Sequence, residues 1–563
     1  MHLIAVWLSL CCSILNAAEI DLLLRGGTVY DGSGAPPRSA DVAITGERIY
    51  GIGTFAATSA AKVVDISGLA VAPGFINVLS WATESLLVDG HSQSNIRQGV
   101  TLEVFGEGRS MGPLNASMRE AMLDRQGELK FPIPWTTLDE YLTHLTHQGV
   151  ATNVASFVGA ATVRIHELGQ DQRAPTSAEL ERMQTLVAQA MQDGALGVGS
   201  ALIYSPGLYA DKDELIALMQ TASSYGGTYI SHLRSEGNRL LEAVDELIEI
   251  AEASQAPAQI HHLKVSGRAN WHKFDPVVAR IEAARARGLA ISANMYTYTA
   301  GSTGLDAAMP PWVQQGGFDA WRTRLRDPTI RARVRDEMAD TEGHWENLLQ
   351  AAGAENTLLV GFRNPQLRQY AGQTLADVAR QRNQSAADTA IDLVVEDGSR
   401  VQVVYFLMSE DNVRKTVALP WVSFGSDAAS ISNHGIFVAR STHPRTYGNF
   451  ARLLAKYVRS ENVITLTEAI HRLTGLPARQ LRLRERGQLQ PGFYADLVVF
   501  APDKVQDHAT YAQPHQYSTG VKHVWVNGVR VLRNGEHTGN MPGQVVRGPG
   551  WRGHQPQAQT KPE

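Results

Sequence analysis

Gly227-Thr228-Tyr229-Ile230, running straight into Ser231-His232-Leu233-Arg234-Ser235-Glu236-Gly237, sets the frame for the whole chain. A short β-prone run that stops on a histidine and a small polar turn reads as a buried parallel strand presenting a side chain at its C-terminal end. The layout recurs on both sides. Downstream, Ala258–His261 leads into His262-Leu263-Lys264, Ala290–Asn294 precedes Tyr296, and Val422–Phe424 leads into Gly425-Ser426-Asp427. Upstream, runs at Gly74–Leu79, Thr101–Phe105, Asn153–Val158 and Ala195–Ser200 complete a set of eight predicted strands. Helical patterns separate them. In the segment Ser177–Gln192, for instance, Leu180, Met183, Leu186, Val187 and Met191 recur at helical spacing. Eight strands alternating with helices predict an α/β fold, a (β/α)8 TIM-like barrel, whose chemistry lies at the C-terminal ends of the strands.

Other segments frame this barrel. Short β-like runs with turns fill about Ile20 to Ala72, and similar runs return at Ala495–Phe500 and Val521–Gly528, so a small β-sandwich assembled from both chain ends is expected. The predicted division is 1–18 signal peptide, 19–72 and 484–550 sandwich, 73–483 barrel and 551–563 disordered tail. The stretch from about 301 to 420 exceeds one helix and contains charged helical sequence from Trp321 to Met338. It reads as an insertion, either a lid over the barrel mouth or a peripheral decoration.

The apolar run Leu3–Leu15 followed by Ala17 and Ala18 has the layout of a secretory signal, which predicts an exported, periplasmic or secreted protein. Both cysteines, Cys11 and Cys12, fall inside it, so the mature chain would have no disulfide, thiol nucleophile or thiolate ligand. Hydrophobic residues make up 44% and charged residues 19% of the 563, with a formal net charge of -5, so neither nucleic acid nor an anionic membrane is expected as partner. No later segment reads as a membrane span.

Histidines ending adjacent barrel strands, with an aspartate ending the last, suit a catalytic zinc site, which uses three protein ligands and keeps one position for water. Several stretches carry a more specific resemblance. Val71-Ala72-Pro73-Gly74-Phe75-Ile76, the His-x-Arg-x-Glu-Gly at His232, the His-x-Lys at His262 and the Gly-Ser-Asp at Asp427 together resemble the amidohydrolase superfamily. Leu202-Ile203-Tyr204-Ser205-Pro206-Gly207, Gly267-Arg268-Ala269-Asn270-Trp271, Tyr296 to Thr303 and His443-Pro444-Arg445 are similar to its N-acyl-D-amino-acid deacylase (D-aminoacylase) branch. The resemblance implies metal-binding roles for His232 and His262 and a catalytic base at Asp427. It places Lys264, Arg445, Tyr296 and Ser302 in the pocket for the substrate carboxylate, and Tyr204 in the wall of the substrate site. The alternative for Lys264 and Arg445 is a structural ion pair, and for the tyrosines simple packing.

The chain also departs from that pattern. The family's Asp-x-His-x-His is replaced by Asn77-Val78-Leu79-Ser80-Trp81, in which neither Leu79 nor Trp81 can ligate an ion. The cysteine ligand expected after the second strand is absent, the turn reading Gly106-Glu107-Gly108-Arg109. Zinc accepts carboxylate oxygen beside imidazole, so a Glu107/His232/His262 site with one Zn2+ is expected; the alternative is a structural Glu107 paired with Arg109. Leu79 and Trp81 would form an apolar wall. The fourth strand ends in Gly199-Ser200-Ala201-Leu202 with no lysine to bridge a second ion.

The implied activity is hydrolysis of the amide of N-acyl amino acids, a small-molecule substrate of a carbon–nitrogen hydrolase, releasing a carboxylic acid and a free amino acid, the D-isomer by resemblance. One alternative is a related hydrolase of acylated peptides or cyclic amides, although cyclic-amide members generally use the missing histidine pair and lysine. The other is a catalytically silent, exported binding protein.

Overall fold

The computed structural model describes residues 20–340 and 345–553; the signal predicted at 1–18 and the end of the predicted tail lie outside the described residues. Eight parallel strand positions form the barrel: β1 (Phe75–Asn77), β2 (Val100–Phe105), β3 (Asn153–Ser156, resuming at Val158–Gly159), β4 (Gly197–Ala201), β5 (Thr228–His232), β6 (Ala258–Ile260), β7 (Ile291–Met295) and β8 (Val422–Phe424). Pairing runs in chain order, and a parallel bridge between Ser80 and Ala428 closes β8 onto β1. Every strand is buried along its length, as expected where helices cover one face and side chains fill the other. The helix Ser177–Gln192 begins in a capping box formed by Thr176 and Glu179 and buries Met183, Val187 and Met191.

Closure of the ring is held by polar side chains. Asn77 Nδ2 donates to Ser426 Oγ and to Glu103 Oε2, each at 2.9 Å, while its Oδ1 accepts from the Ser426 amide at 2.8 Å. Glu103 is fully buried and also accepts from Ser92 and Asn95. Burial pushes its carboxyl pKa up against these donors. The asparagine that stands where the resemblance expects an aspartate thus ties the first strand to the last, one residue before Asp427.

Both chain ends build one nine-stranded sheet. Ala70–Pro73 pairs with Ile20–Val29 and, antiparallel, with Leu497–Phe500, which joins the N-terminal and C-terminal halves. After the last strand, Glu536–His537, the chain runs back along the barrel: the Val546 amide donates to the Val154 carbonyl, and the Gly543 amide to that of Val150.

The segment between β7 and β8 holds more than the helical sequence read in it. It carries its own antiparallel sheet of Ala300–Gly304, Gln402–Phe406 and Thr357–Gly361, with a separate apolar core that includes Leu359, Leu393 and Tyr405. The helical stretch expected from Trp321 to Met338 is two helices, Phe318–Arg324 and Pro328–Ala339. The break has a local cause. Pro328 cannot donate to the preceding turn, and Asp327 caps the second helix by accepting from the amides of Thr329 and Ile330.

Replacing Asn77 with leucine strips Glu103 and Ser426 of buried partners at the closure seam. The expected outcome is a loss of about 3 kcal/mol, read as a lower denaturant midpoint by circular dichroism.

Candidate active site

The C-terminal rim of the barrel opens into a cavity of about 1070 Å³. Every residue proposed from sequence for the site lines it: Glu107, Tyr204, His232, His262, Lys264, Tyr296, Ser302, Asp427 and Arg445. Local backbone explains several placements. Gly106, at φ +103, leaves β2 so tightly that a Cβ there would lie 2.3 Å from the Phe157 carbonyl oxygen, and this turn carries Glu107 inward. His232 is the last residue of β5. His262 and Asp427 follow β6 and β8 in left-handed conformations, φ +37 and +50, which are uncommon for residues with a side chain and cluster at functional sites.

His262 is the hub. Its Nε2 lies 3.0 Å from Glu107 Oε1, its Nδ1 lies 3.0 Å from Glu236 Oε1, and its ring centroid is 4.5 Å from that of His232. Two groups of donor atoms converge here, each within 4.8 Å: His232, Glu236 and His262, and Glu107, His262 and Asp427. The trio expected from sequence is therefore divided between two sets that share His262, and Glu236 joins as a carboxylate that the expectation omitted. The signal for it was present in the motif, since Glu236 follows His232 by four residues in an otherwise small, polar turn. His261 was likewise passed over, and its Nδ1 lies 3.1 Å from Glu107 Oε1. Glu107 does not pair with Arg109, which reaches the Ser205 carbonyl instead. The motif's Arg234 turns away to Glu246 and to the carbonyls of Leu208 and Ala210, bracing the rim.

The electrostatics are those of a buried, balanced cluster. Burial pushes the pKa of His232 down to about 4, which keeps it neutral. Burial and Lys264 also press on His262, but Glu107 and Glu236 outweigh them and raise it to about 9. Burial would raise both glutamates, yet the neighbouring histidines, with Lys264 beside Glu236, hold them well below the usual carboxylate range.

The donor set fits a zinc ion. The His232 Nδ1 lies 3.0 Å from the Leu233 carbonyl, an acceptor only, so it carries the proton and leaves the Nε2 lone pair facing the cluster. The nearest carboxylate oxygen to that nitrogen is Glu236 Oε2 at 3.8 Å. Two imidazoles and a choice of buried carboxylates are a chemically complete set for zinc.

Around the cluster, Lys264 Nζ is 2.5 Å from Glu236 Oε1, and Arg445 Nη1 is 2.8 Å from Asp427 Oδ2. Both cations proposed for the substrate carboxylate thus face internal carboxylates in the cavity. Arg445 also lies over the Tyr296 ring, 4.5 Å from its centroid. The Tyr204 ring packs between His232 at 5.3 Å and the Arg400 guanidinium at 5.1 Å. The Ser302 hydroxyl is occupied by the Val403 carbonyl and Gln402 within the insertion's sheet. The apolar wall expected at Leu79 and Trp81 does not form. Leu79 is buried and is not among the residues lining the cavity, whereas Trp81 lines it and its indole N–H donates to Asp427 Oδ1 at 3.1 Å.

The amidohydrolase family model matches residues 62–532. The chain belongs to the amidohydrolase family. It is 33% identical to the D-aminoacylase of Alcaligenes xylosoxydans xylosoxydans over 94% of its own length and 98% of that protein's. Among solved amidohydrolase structures, the N-acyl-D-glutamate deacylase of Bordetella bronchiseptica, complexed with zinc and a phosphonate mimic of the tetrahedral intermediate, superposes with a TM-score of 0.78 at 30% identity, covering 94% of this chain and all of that one. A D-aminoacylase structure described by its binuclear metal centre, with one-metal activation and second-metal attenuation, gives the same TM-score at 31% identity and the same coverage.

In this amidohydrolase, Arg445 is positioned from behind by His443. The Arg445 amide donates to His443 Nδ1 at 3.0 Å, so Nε2 holds the proton and donates to the Ala300 carbonyl at 2.9 Å. Burial, reinforced by Arg445, pushes the His443 pKa well below its ordinary value. The unfolded chain takes up a proton below about pH 6.5 that the folded chain refuses, so stability falls as pH drops through that point, by up to about 1.4 kcal/mol per pH unit. Chemical denaturation at a series of pH values is expected to show this slope in the wild type and a shallower one in His443→Gln.

Proposed function

We propose that this chain hydrolyses N-acyl-D-amino acids to a carboxylic acid and a free D-amino acid, using one zinc ion held by Glu107, His232 and His262. The observation that carries this reading is the pair of donor sets, His232 with Glu236 and Glu107 with Asp427, that meet at the shared His262, with Arg445 and Tyr296 in the same cavity. The D-aminoacylase likeness over almost the whole chain supports the substrate class. A bound zinc ion would polarise the scissile carbonyl and lower the pKa of a water molecule.

The chain's own residues do the rest. Asp427 takes the proton of the attacking water and returns it to the leaving amine. Arg445 offers the substrate carboxylate a planar, two-pronged donor and exchanges Asp427 for it, and Lys264 adds a point charge. Tyr296 and Tyr204 wall the site, and Ser302 lines it through the insertion's sheet. That insertion supplies one face of the cavity, so it acts as a cover over the barrel mouth. A single ion is favoured because Leu79 and Trp81 cannot ligate and β4 ends in Ser200-Ala201 with no lysine. Export rests on the apolar run and small residues before Glu19.

The convergence of His232, Glu236 and His262 favours a second ligand set in which Glu236 replaces Glu107. Elemental analysis separates the two: Glu107→Ala is expected to purify without zinc and Glu236→Ala to retain it, and the reverse result would move the ligand to Glu236. With N-acetyl-D- and N-acetyl-L-amino acids, the wild type is expected to release amino acid from the D series. Asp427→Asn should lose at least about 1000-fold in kcat while keeping its zinc, in line with removal of a general base that also guides proton return. A zinc-loaded wild type inert on the whole panel would end the deacylase reading.

A further inference from the structure

Asp427 is the one group in the proposed reaction that must present a particular oxygen to a moving proton, and nothing in its own backbone sets the angle of its carboxylate. The last torsion of an aspartate is broad and roughly two-fold, so the plane is fixed only by what bonds to it. Two groups reach it, and only one by a hydrogen bond. Arg445 Nη1 lies 2.8 Å from Oδ2 as an ion pair without hydrogen-bond geometry, and the Trp81 indole N–H donates to Oδ1 at 3.1 Å.

The two contacts differ in kind. Arg445 is a long side chain that the proposed mechanism requires to leave Asp427 for the substrate carboxylate. Trp81 stays. Its own amide donates to the Ala428 carbonyl at 3.0 Å, and the Asp427 amide donates to the Leu79 carbonyl at 2.9 Å. The chain on either side of the indole is therefore locked to the chain on either side of the aspartate at the closure seam. The indole nitrogen is a donor only, so it can neither accept the proton that Asp427 carries nor ligate an ion. Trp81 as a residue is 39% exposed and lines the cavity, so packing alone does not account for a tryptophan there.

We propose that Trp81 is a positioning residue for the general base, holding Oδ1 of Asp427 so that Oδ2 faces the reacting atoms once Arg445 turns to the substrate. The inference rests on the reading of Asp427 as the base. It predicts an effect on turnover rather than on substrate capture, because Trp81 holds the base and not the carboxylate pocket.

Trp81→Phe keeps an aromatic ring and removes the donor; Trp81→Gln returns an N–H of similar reach without the ring. The expected result is a fall in kcat of about tenfold in Trp81→Phe, equivalent to about 1.4 kcal/mol in the barrier. KM should stay within about twofold, zinc content and melting temperature should be unaltered, and Trp81→Gln should recover most of the loss. A second readout needs no turnover. In protein labelled with 15N-tryptophan, the indole N–H resonance that disappears in Trp81→Phe is expected to move when Asp427 is changed to alanine. Wild-type kcat in Trp81→Phe, a loss matched by loss of zinc or of the fold, or an indole resonance indifferent to Asp427→Ala would each overturn the proposal. If the wild type cleaves no N-acyl amino acid, the functional reading fails by itself, and the resonance still decides whether the indole holds Asp427.

Discussion

The seam between β1 and β8 is the constraint on which the rest of the molecule depends. Eight parallel strands form a ring only if the first pairs with the last, and here those strands are short and separated in the chain by more than half its length. Asn77 and Ser426 exchange hydrogen bonds across the gap, and Glu103 anchors Asn77 from the neighbouring strand. Immediately beyond them, the backbone bonds between Leu79 and Asp427 and between Trp81 and Ala428 continue the pairing to the rim. Asp427 therefore stands on the closure itself. A ring that closed one residue out of register would send Asp427 away from His262 and the cavity.

A closed ring also explains how so much charge is tolerated in a small volume. Glu107, Glu236, His232, His262 and Lys264 are all nearly inaccessible to water. An isolated buried charge is strongly disfavoured, but each carboxylate here meets a nitrogen that carries or shares a proton. Glu107 meets two histidines, Glu236 meets His262 and Lys264, and Asp427 meets Arg445 and Trp81. A cation entering this cluster would take over from the proton on His262, so the same side chains would balance their charge with or without an ion.

Much of this was legible in the sequence. Strand runs of the barrel are short, apolar and bounded by turns, and the residue after each run lies at the rim whatever its neighbours do. That is why His232, His262 and Asp427 could be placed from local pattern alone. The helix Ser177–Gln192 was legible for a similar reason, having both an apolar stripe and a capping residue on either side of its first turn. The insertion was legible as an added segment, but its architecture was not. Its strands are distant in sequence and pair antiparallel around a core of their own, while Pro328 divides a stretch whose composition reads as one helix.

What the sequence by itself determined was which side chains reach the rim: strand length and turn position decide that, and both are local. Only the tertiary structure decided which of them meet. Glu107 turned to His261 and His262 rather than to Arg109, Glu236 joined the histidines, and Trp81 became a donor to an aspartate 346 residues away. Those contacts run sideways between strand ends. They depend on the order and stagger with which the ring closes, and no single strand carries that information.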